Sequence, residues 1–251
     1  MLKVYHIKHD FVIIQNKDYD ILLDPFEIDP EHVRLLDKNT PNILMFTHTH
    51  SDHFSITSVG IIELQTSNFH IVAPLLLQEI FLTPTFSYLL DNVTFVEPNK
   101  KYKIPVGQFP DPQITLNFST VPAYNLNKFR ENNTPYHPKE SGFVGYLIEL
   151  EKTYMQHEVQ LKSKFIANYN PTIIKTIFHP GDSDNIPEYK KLQNKVDLFF
   201  VPVSGKYVMD VKEACEATKV IKPNVAIPMH YGFIVGTDND AKQFVETCKI
   251  S

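Results

Sequence analysis

Apolar positions alternate along the first third of the chain at the two-residue spacing of strands and then recur at the three-to-four spacing of helices. Residues 2–7, 11–15 and 19–24 read as strand pairs, with Asn16-Lys17-Asp18 as a turn between the second and third. A buried strand over 42–46 follows. Ser55 then reads as the N-cap of a helix through Gln65 that carries Ile56, Val59, Ile62 and Leu64 inward, and 69–73 returns to strand. That strand, helix, strand order is a βαβ unit, which predicts a partly parallel sheet. Residues 75–82 predict a second apolar helix, and 92–96, 101–104 and 113–121 predict further strands.

The second half repeats the theme. Residues 142–150 form a strand pattern, whereas 151–171 are polar and read as an inserted helix or a mobile excursion. Strands over 172–178, 196–203 and 225–229 then alternate with helices over 211–220 and 240–249. Asp210, with Glu213 three residues on, makes a capping-box start for the first of those helices. A strand-rich part followed by alternation occurs in each half, as in a duplicated sandwich. No Gly-, Ser- or Pro-rich linker divides them, so residues 1–251 read as one domain.

Composition changes this picture mainly by exclusion. With 43% hydrophobic and 21% charged residues, the 251-residue chain has enough apolar material for a sizeable core. The net charge is −5 and the basic residues are scattered, so there is no electrostatic footprint for nucleic acid or an anionic membrane. No apolar run approaches the roughly eighteen residues of a membrane span, and Met1-Leu2-Lys3-Val4-Tyr5-His6 lacks the apolar core of a signal peptide; both point to a cytoplasmic location. Cys215 and Cys248 both fall in helical patterns and suggest no disulfide framework. The sequence leaves room for a homo-oligomer.

The chemistry gathers in Phe46-Thr47-His48-Thr49-His50-Ser51-Asp52-His53-Phe54, directly after the strand ending at residue 46. On extended backbone His48 and His50 face the same way and reach one point. If the chain then curls towards the helix, Asp52 and His53 are carried on to a second position. Imidazole nitrogen and carboxylate oxygen suit zinc, iron or manganese, and the lack of a nearby cysteine argues against a closed thiolate site. Asp182, in His179-Pro180-Gly181-Asp182-Ser183-Asp184, and His230, in Pro228-Met229-His230-Tyr231-Gly232, also lie where a strand meets a loop. Asp24 ends an early strand and reads either as a turn cap or as a support for a metal ligand.

Together these residues resemble the metallo-β-lactamase-fold hydrolase superfamily. The resemblance rests on HxHxDH at His48, His50, Asp52 and His53, an early strand-end Asp24, a Gly-Asp-Ser motif at Asp182 and a late His230, in the family's order over nearly the whole chain. Lys8-His9-Asp10 is similar to the Gly-His-Ala that opens a lactonase-like and phospholipase-like branch, with Lys8 in place of glycine.

The resemblance implies an α/β fold, a four-layer αββα sandwich, with two metal ions on one edge, Zn2+ or else Mn2+ or Fe. His48 and His50 would bind the first ion, Asp52, His53 and His230 the second, and Asp182 would bridge them. The family's third histidine on the first ion is replaced here by Asn125 in Val121-Pro122-Ala123-Tyr124-Asn125, so that either Asn125 or His137, from His137-Pro138-Lys139, is left to complete the site.

Such a pair of ions lowers the pKa of a bridging water, so hydroxide is available near neutral pH. Asp52 would orient it, and Tyr124, His137 or Tyr231 would give a proton to the leaving group. Lys128, Arg130, Lys139 and Lys206 fall near the motif loops as candidates to recognise an anion. The leading expectation is a hydrolase acting on an ester, lactone, amide or phosphodiester of a small molecule. A di-iron redox protein of the same fold and a catalytically degenerate metal-binding protein are the alternatives.

Overall fold

The computed structural model describes residues 1–106, 114–167 and 173–248. The chain opens with the antiparallel meander β1 (Leu2–Lys8), β2 (Phe11–Gln15) and β3 (Asp20–Leu23). After α1 (Pro30–Leu35), it runs through β4 (Asn42–Met45), α2 (Ile56–Gln65), β5 (Phe69–Pro74), a one-turn α3 (Gln78–Phe81) and β6 (Val93–Val96). A second meander, β7 (Lys101–Val106), β8 (Ile114–Pro122) and β9 (Val144–Met155), leads to β10 (Val159–Lys162). Then come β11 (Ile173–His179), β12 (Leu198–Pro202), α4 (Val211–Ile221), β13 (Val225–Met229) and α5 (Asp238–Thr247).

The strands form two sheets, ordered β10-β1-β2-β3-β4-β5-β6 and β13-β12-β11-β9-β8-β7. Both are mixed: β3 to β6 pair in parallel, as do β11 to β13, the antiparallel meanders lie beside them, and β10 adds a further parallel pair at the edge of the first sheet. Their inner faces meet in a core that includes Val12, Ile14, Ile43 and Met45 from one sheet and Phe118, Tyr146, Ile148 and Ile227 from the other. The outer face of the first sheet packs Phe11, Leu44 and Ile71 under Val59 and Ile62 of α2, and that of the second packs Phe199 and Val201 under α4 and α5. Helix, sheet, sheet and helix layers make an αββα sandwich, as the resemblance to the metallo-β-lactamase fold implied.

Four details depart from the expected elements. Leu64 of α2 is 84% exposed, because the helix buries only the stripe of Ser58, Val59 and Ile62, and Leu64, two residues beyond Ile62, falls on the opposite face. The helix α1, absent from the strand-pair reading, begins at Pro30 behind the cap of Asp29, whose side chain accepts from the backbone N–H of Glu31 and His32. Residues 75–82 are a 3-10 turn followed by the single turn α3 rather than one helix. The stretch 151–171 is mainly strand where it is described: β9 continues to Met155, a single 3-10 turn spans Gln156–Glu158, and β10 crosses to the other sheet to pair in parallel with β1. The expected ends at Gln113, Thr172 and Lys249 lie outside the described residues.

What matters for function is where the strands stop. His9-Asp10 forms the β1–β2 turn, Asp24 follows β3, His48 to His53 follow β4, Asp182 follows β11 and His230 follows β13. All are brought together on one edge, much of it formed by carboxyl ends of parallel strands.

Candidate metal centre

Two glycines let the segments approach. A Cβ on Gly145 would lie 2.7 Å from the Pro180 backbone, so only glycine admits the chain that delivers Asp182, and Gly181 turns at φ +62° beside Thr47. Three non-glycine residues at the site also hold left-handed backbone: His9 at φ 49°, Asp24 at 44° and His230 at 58°. Such conformations cost on the order of 1–3 kcal/mol each and persist only where surroundings over-determine them. The His9 carbonyl, for example, accepts from the His230 N–H (3.0 Å) and faces His6 Nε2 at 2.9 Å.

The ring orientations follow from their outer partners. Asp24 is fully buried; its Oδ1 accepts from the Thr47 N–H (2.7 Å) and its Oδ2 from the Thr47 hydroxyl (2.6 Å). His53 Nδ1 is 2.8 Å from the same Oδ2, and since a carboxylate only accepts, Nδ1 carries the proton. With its own proton committed to Asp24, Thr47 Oγ1 accepts from His48 Nδ1 at 3.0 Å. His137 Nδ1 donates to Asn125 Oδ1 at 3.0 Å, and Ser204 Oγ meets His230 Nδ1 at 2.8 Å. His48, His53, His137 and His230 are thus held from outside through Nδ1, which turns Nε2 inward. The Asp24 side chain thus supports the His53 ring, and both its oxygens are engaged far from its own turn.

Two groups of ligand atoms result. In the first, His50 Nδ1 lies 3.1 Å from His48 Nε2 and 3.2 Å from His137 Nε2. Three ring nitrogens around a tetrahedral ion at about 2.0–2.1 Å would stand roughly 3.3 Å apart, close to these spacings. The second comprises His9, Asp52, His53 and His230, and overlaps a set of Asp10, His53, Asp182 and His230. Asp182 spans both groups. Its Oδ2 is 3.2 Å from His137 Nε2 and 3.1 Å from His230 Nε2, and its Oδ1 is 3.3 Å from His53 Nε2. His53 Nε2 and Asp182 Oδ1 are buried without a hydrogen-bond partner, as are both oxygens of Asp10, which is what a centre built to take cations leaves on the protein side.

Electrostatics agree. Burial holds His48 well below the usual imidazole range, with neighbouring His53 adding to the effect, and burial likewise lowers His50 with help from His137. Burial would also lower His53, but Asp182, Asp24 and Asp10 outweigh it and push the group well above that range. Asp182 shows the converse: burial would raise it, and His230, His53 and His137 hold it well below the carboxylate range. Asp52 sits at about 2, its burial outweighed by His9, whose Nε2 is 3.3 Å from Oδ2. Burial raises Asp10 well above the usual carboxylate range. His48 and His50 therefore present neutral ring nitrogens, and Asp52 and Asp182 ionised carboxylates, as metal ions need, whereas the buried carboxylates hold a proton on His53 and raise His230, a proton that a bound cation would displace.

All six metal-ligand candidates from the sequence, His48, His50, Asp52, His53, Asp182 and His230, meet here, and His137 joins them. Asn125 does not face the cluster: its oxygen accepts from the His137 N–H (2.8 Å) and ring, and its amide donates to the Tyr207 carbonyl (2.9 Å). Tyr124 is not brought to the site either. Its hydroxyl donates to Glu188 (2.9 Å) and accepts from Lys139 (3.3 Å). Tyr231 is buried against His6 and Phe165. Sequence reading missed Asp10 and gave His9 no role. The single signal for both was the Lys8-His9-Asp10 turn.

A cavity of about 320 Å³ opens onto the cluster, lined by His50, Asp52, His137 and Asp182 together with Ser51, Arg130, Tyr136, Tyr207 and Ile234. Among the described residues no helix is long and apolar enough to cross a membrane.

Comparison with known proteins places this geometry in a lineage. The chain is 27% identical over 232 residues to a UPF0173 protein of Pyrococcus furiosus, covering 92% of this chain and 84% of that one. It is 24% identical over 234 residues, with the same coverage, to a UPF0173 metal-dependent hydrolase of Carboxydothermus hydrogenoformans. Among solved structures it resembles Igni18, a metallo hydrolase from Ignicoccus hospitalis, with a TM-score of 0.65 and 19% identity over 98% of this chain and 91% of that one; this likeness speaks to the fold. The model of the Beta-lactamase superfamily domain matches residues 3–230, and the chain belongs to that family.

Proposed function

We propose that the chain is a metal-dependent hydrolase with a binuclear centre, acting as a cytoplasmic enzyme on an ester, lactone, amide or phosphodiester of a small molecule. His48, His50 and His137 would hold the first ion, Asp52, His53 and His230 the second, and Asp182 would serve both. The observation that carries this reading is the carboxylate of Asp182, within 3.3 Å of inward ring nitrogens from both groups. An all-imidazole first set favours zinc, while the carboxylate-bearing second set also accepts manganese or iron.

Bound ions would supply an activated water and polarise the bond to be cut. Asp52, partly exposed to the cavity and steered by His9, is placed to orient that water and to carry its proton towards the leaving group. Asp24, Thr47, Asn125 and Ser204 keep the rings fixed through Nδ1, so the ligand set is organised before substrate arrives. As a ligand, His137 is removed from the list of proton donors, and Tyr124 is tied to Glu188.

The test is metal content by mass spectrometry on protein purified without added metal, followed by a panel of lactone, thioester and bis-para-nitrophenyl phosphate substrates. Replacing Asp182 with Ala is expected to lose tightly held metal and all turnover. Full occupancy of both positions in that variant would refute the bridging role.

A further inference from the structure

We infer that Arg130 forms an anion subsite at the mouth of the cavity, and that the substrate carries a single carboxylate beside the bond that is hydrolysed. This rests on the hydrolase reading and names the substrate class for that site.

Four basic residues sit near the motif loops, and the structure separates them. Lys128 is paired with Glu213 at 2.6 Å, and Lys139 with Glu188 at 3.1 Å. Lys206 lies over the Tyr207 ring at 4.8 Å and is not on the cavity wall. Arg130 lines the cavity together with Asp52 and Asp182 and makes no ion pair among the described residues. Among the described residues its charge has no acidic partner.

The arginine is also held in place. Its N–H donates to the Thr134 carbonyl (2.8 Å), its carbonyl accepts from the Asn133 N–H (2.9 Å), and a bridge between Phe129 and Pro135 closes the hairpin. The guanidinium stands 5.0 Å from the Tyr136 ring centroid, and Tyr136 packs edge-on against Tyr207 at 4.7 Å. A guanidinium resting on an aromatic ring keeps its N–H edge free for two parallel bonds to an oxyanion. The charge balance selects the kind of anion. Arg130 is the sole Lys or Arg among the described wall residues, and Asp52 and Asp182 share the wall. One positive charge matches a singly charged carboxylate better than a doubly charged phosphate.

The experiment compares two matched esters, the para-nitrophenyl monoester of glutarate and para-nitrophenyl pentanoate, on wild type, Arg130→Gln and Arg130→Lys. We expect wild type to favour the glutarate ester by about 10- to 100-fold in kcat/KM, mostly through KM, the range for hydrogen bonds to charged groups. Arg130→Gln is expected to lose that preference, the ratio of kcat/KM for the two esters falling to within two-fold of one, and Arg130→Lys to keep part of it. No preference in wild type, or one that survives in Arg130→Gln, would overturn the subsite.

Calorimetric binding of N-phenylglutaramic acid, N-phenylpentanamide and a phosphate-terminated amide of equal length separates this idea from the hydrolase reading. If neither ester turns over but the carboxylate amide binds tighter than the neutral one only when Arg130 is present, the subsite stands and the hydrolase reading falls. Tighter binding of the phosphate than the carboxylate overturns the proposed class.

Discussion

Asp24→Asn isolates the device that aims the second group of ligands. The carboxylate accepts three hydrogen bonds, from the Thr47 N–H, the Thr47 hydroxyl and His53 Nδ1, at 2.7, 2.6 and 2.8 Å. An amide has one accepting oxygen. If that oxygen keeps the Thr47 N–H, the amide NH2 faces two donors, and the cheapest relief is for His53 to move its proton from Nδ1 to Nε2, the atom needed for metal. The backbone should survive, because asparagine tolerates the left-handed φ of 44° at this position better than most residues. Losing a hydrogen bond to a charged group costs about 1.5–3 kcal/mol, which corresponds to a fall of about 10- to 100-fold in affinity for the second ion. His48 is expected to suffer less, since it feels Asp24 only through the Thr47 hydroxyl. Chelator competition with metal content read by mass spectrometry gives the two affinities, and far-ultraviolet circular dichroism checks the fold. A folded variant whose two affinities both stay within two-fold of wild type would refute the argument that Asp24 sets the His53 tautomer.

Removing metal should soften the whole edge. Each ion held at about a thousand times its dissociation constant adds about 4 kcal/mol by linkage, so stripping one should lower Tm by roughly 8–16 °C in a chain of this size and stripping two by about twice that, as read by differential scanning calorimetry. An unchanged Tm would mean that the cluster binds no ion tightly. A separate pH effect is built into Asp20, which is 1% exposed and raised from 3.8 to about 6 by burial, despite hydrogen bonds from the Asp37 N–H and Gln15. Between about pH 4 and 6 the native state keeps a proton that the unfolded chain has released, so this group's contribution to stability falls by about 3 kcal/mol as pH rises through that window. Urea unfolding of Asp20→Asn at pH 4 and pH 7 should therefore show the variant gaining about that much on wild type at the higher pH; a constant difference would contradict the shift.

How much of this was legible depended on whether a residue's role followed from local geometry. Alternation on extended backbone was enough to bring His48 and His50 to one point, and strand-end positions were enough to suggest Asp182 and His230. His137 was ambiguous because its approach depends on the hairpin closed by Phe129 and Pro135, whose shape leaves no periodic trace. Tyr124 was one of three candidate proton donors among which no spacing selects, yet its hydroxyl is claimed by Glu188, 64 residues further along the chain. Similarly, β10 could not be placed from its own residues, because its partner is the first strand. The long-range contacts that decided these cases are properties of packing, whereas the metal motif is a property of a short segment.

Seen as electrostatics, the centre is a place where protein and ions each supply what the other lacks. Asp10, Asp24 and Asp182 are buried together with His9, His48, His53, His137 and His230. Burying that many polar groups is unfavourable unless their charges and lone pairs are matched. The outer hydrogen bonds match one side of each ring, through Asp24, Thr47, Asn125 and Ser204, and leave the inner nitrogens facing one another. Left-handed backbone at His9, Asp24 and His230 adds further cost at the same edge. A fold with a large two-sheet core can carry this local deficit, and bound metal would offset it. Strain, unmatched ring nitrogens and catalytic potential therefore have one origin: an edge assembled around ions that the strand ends alone do not satisfy.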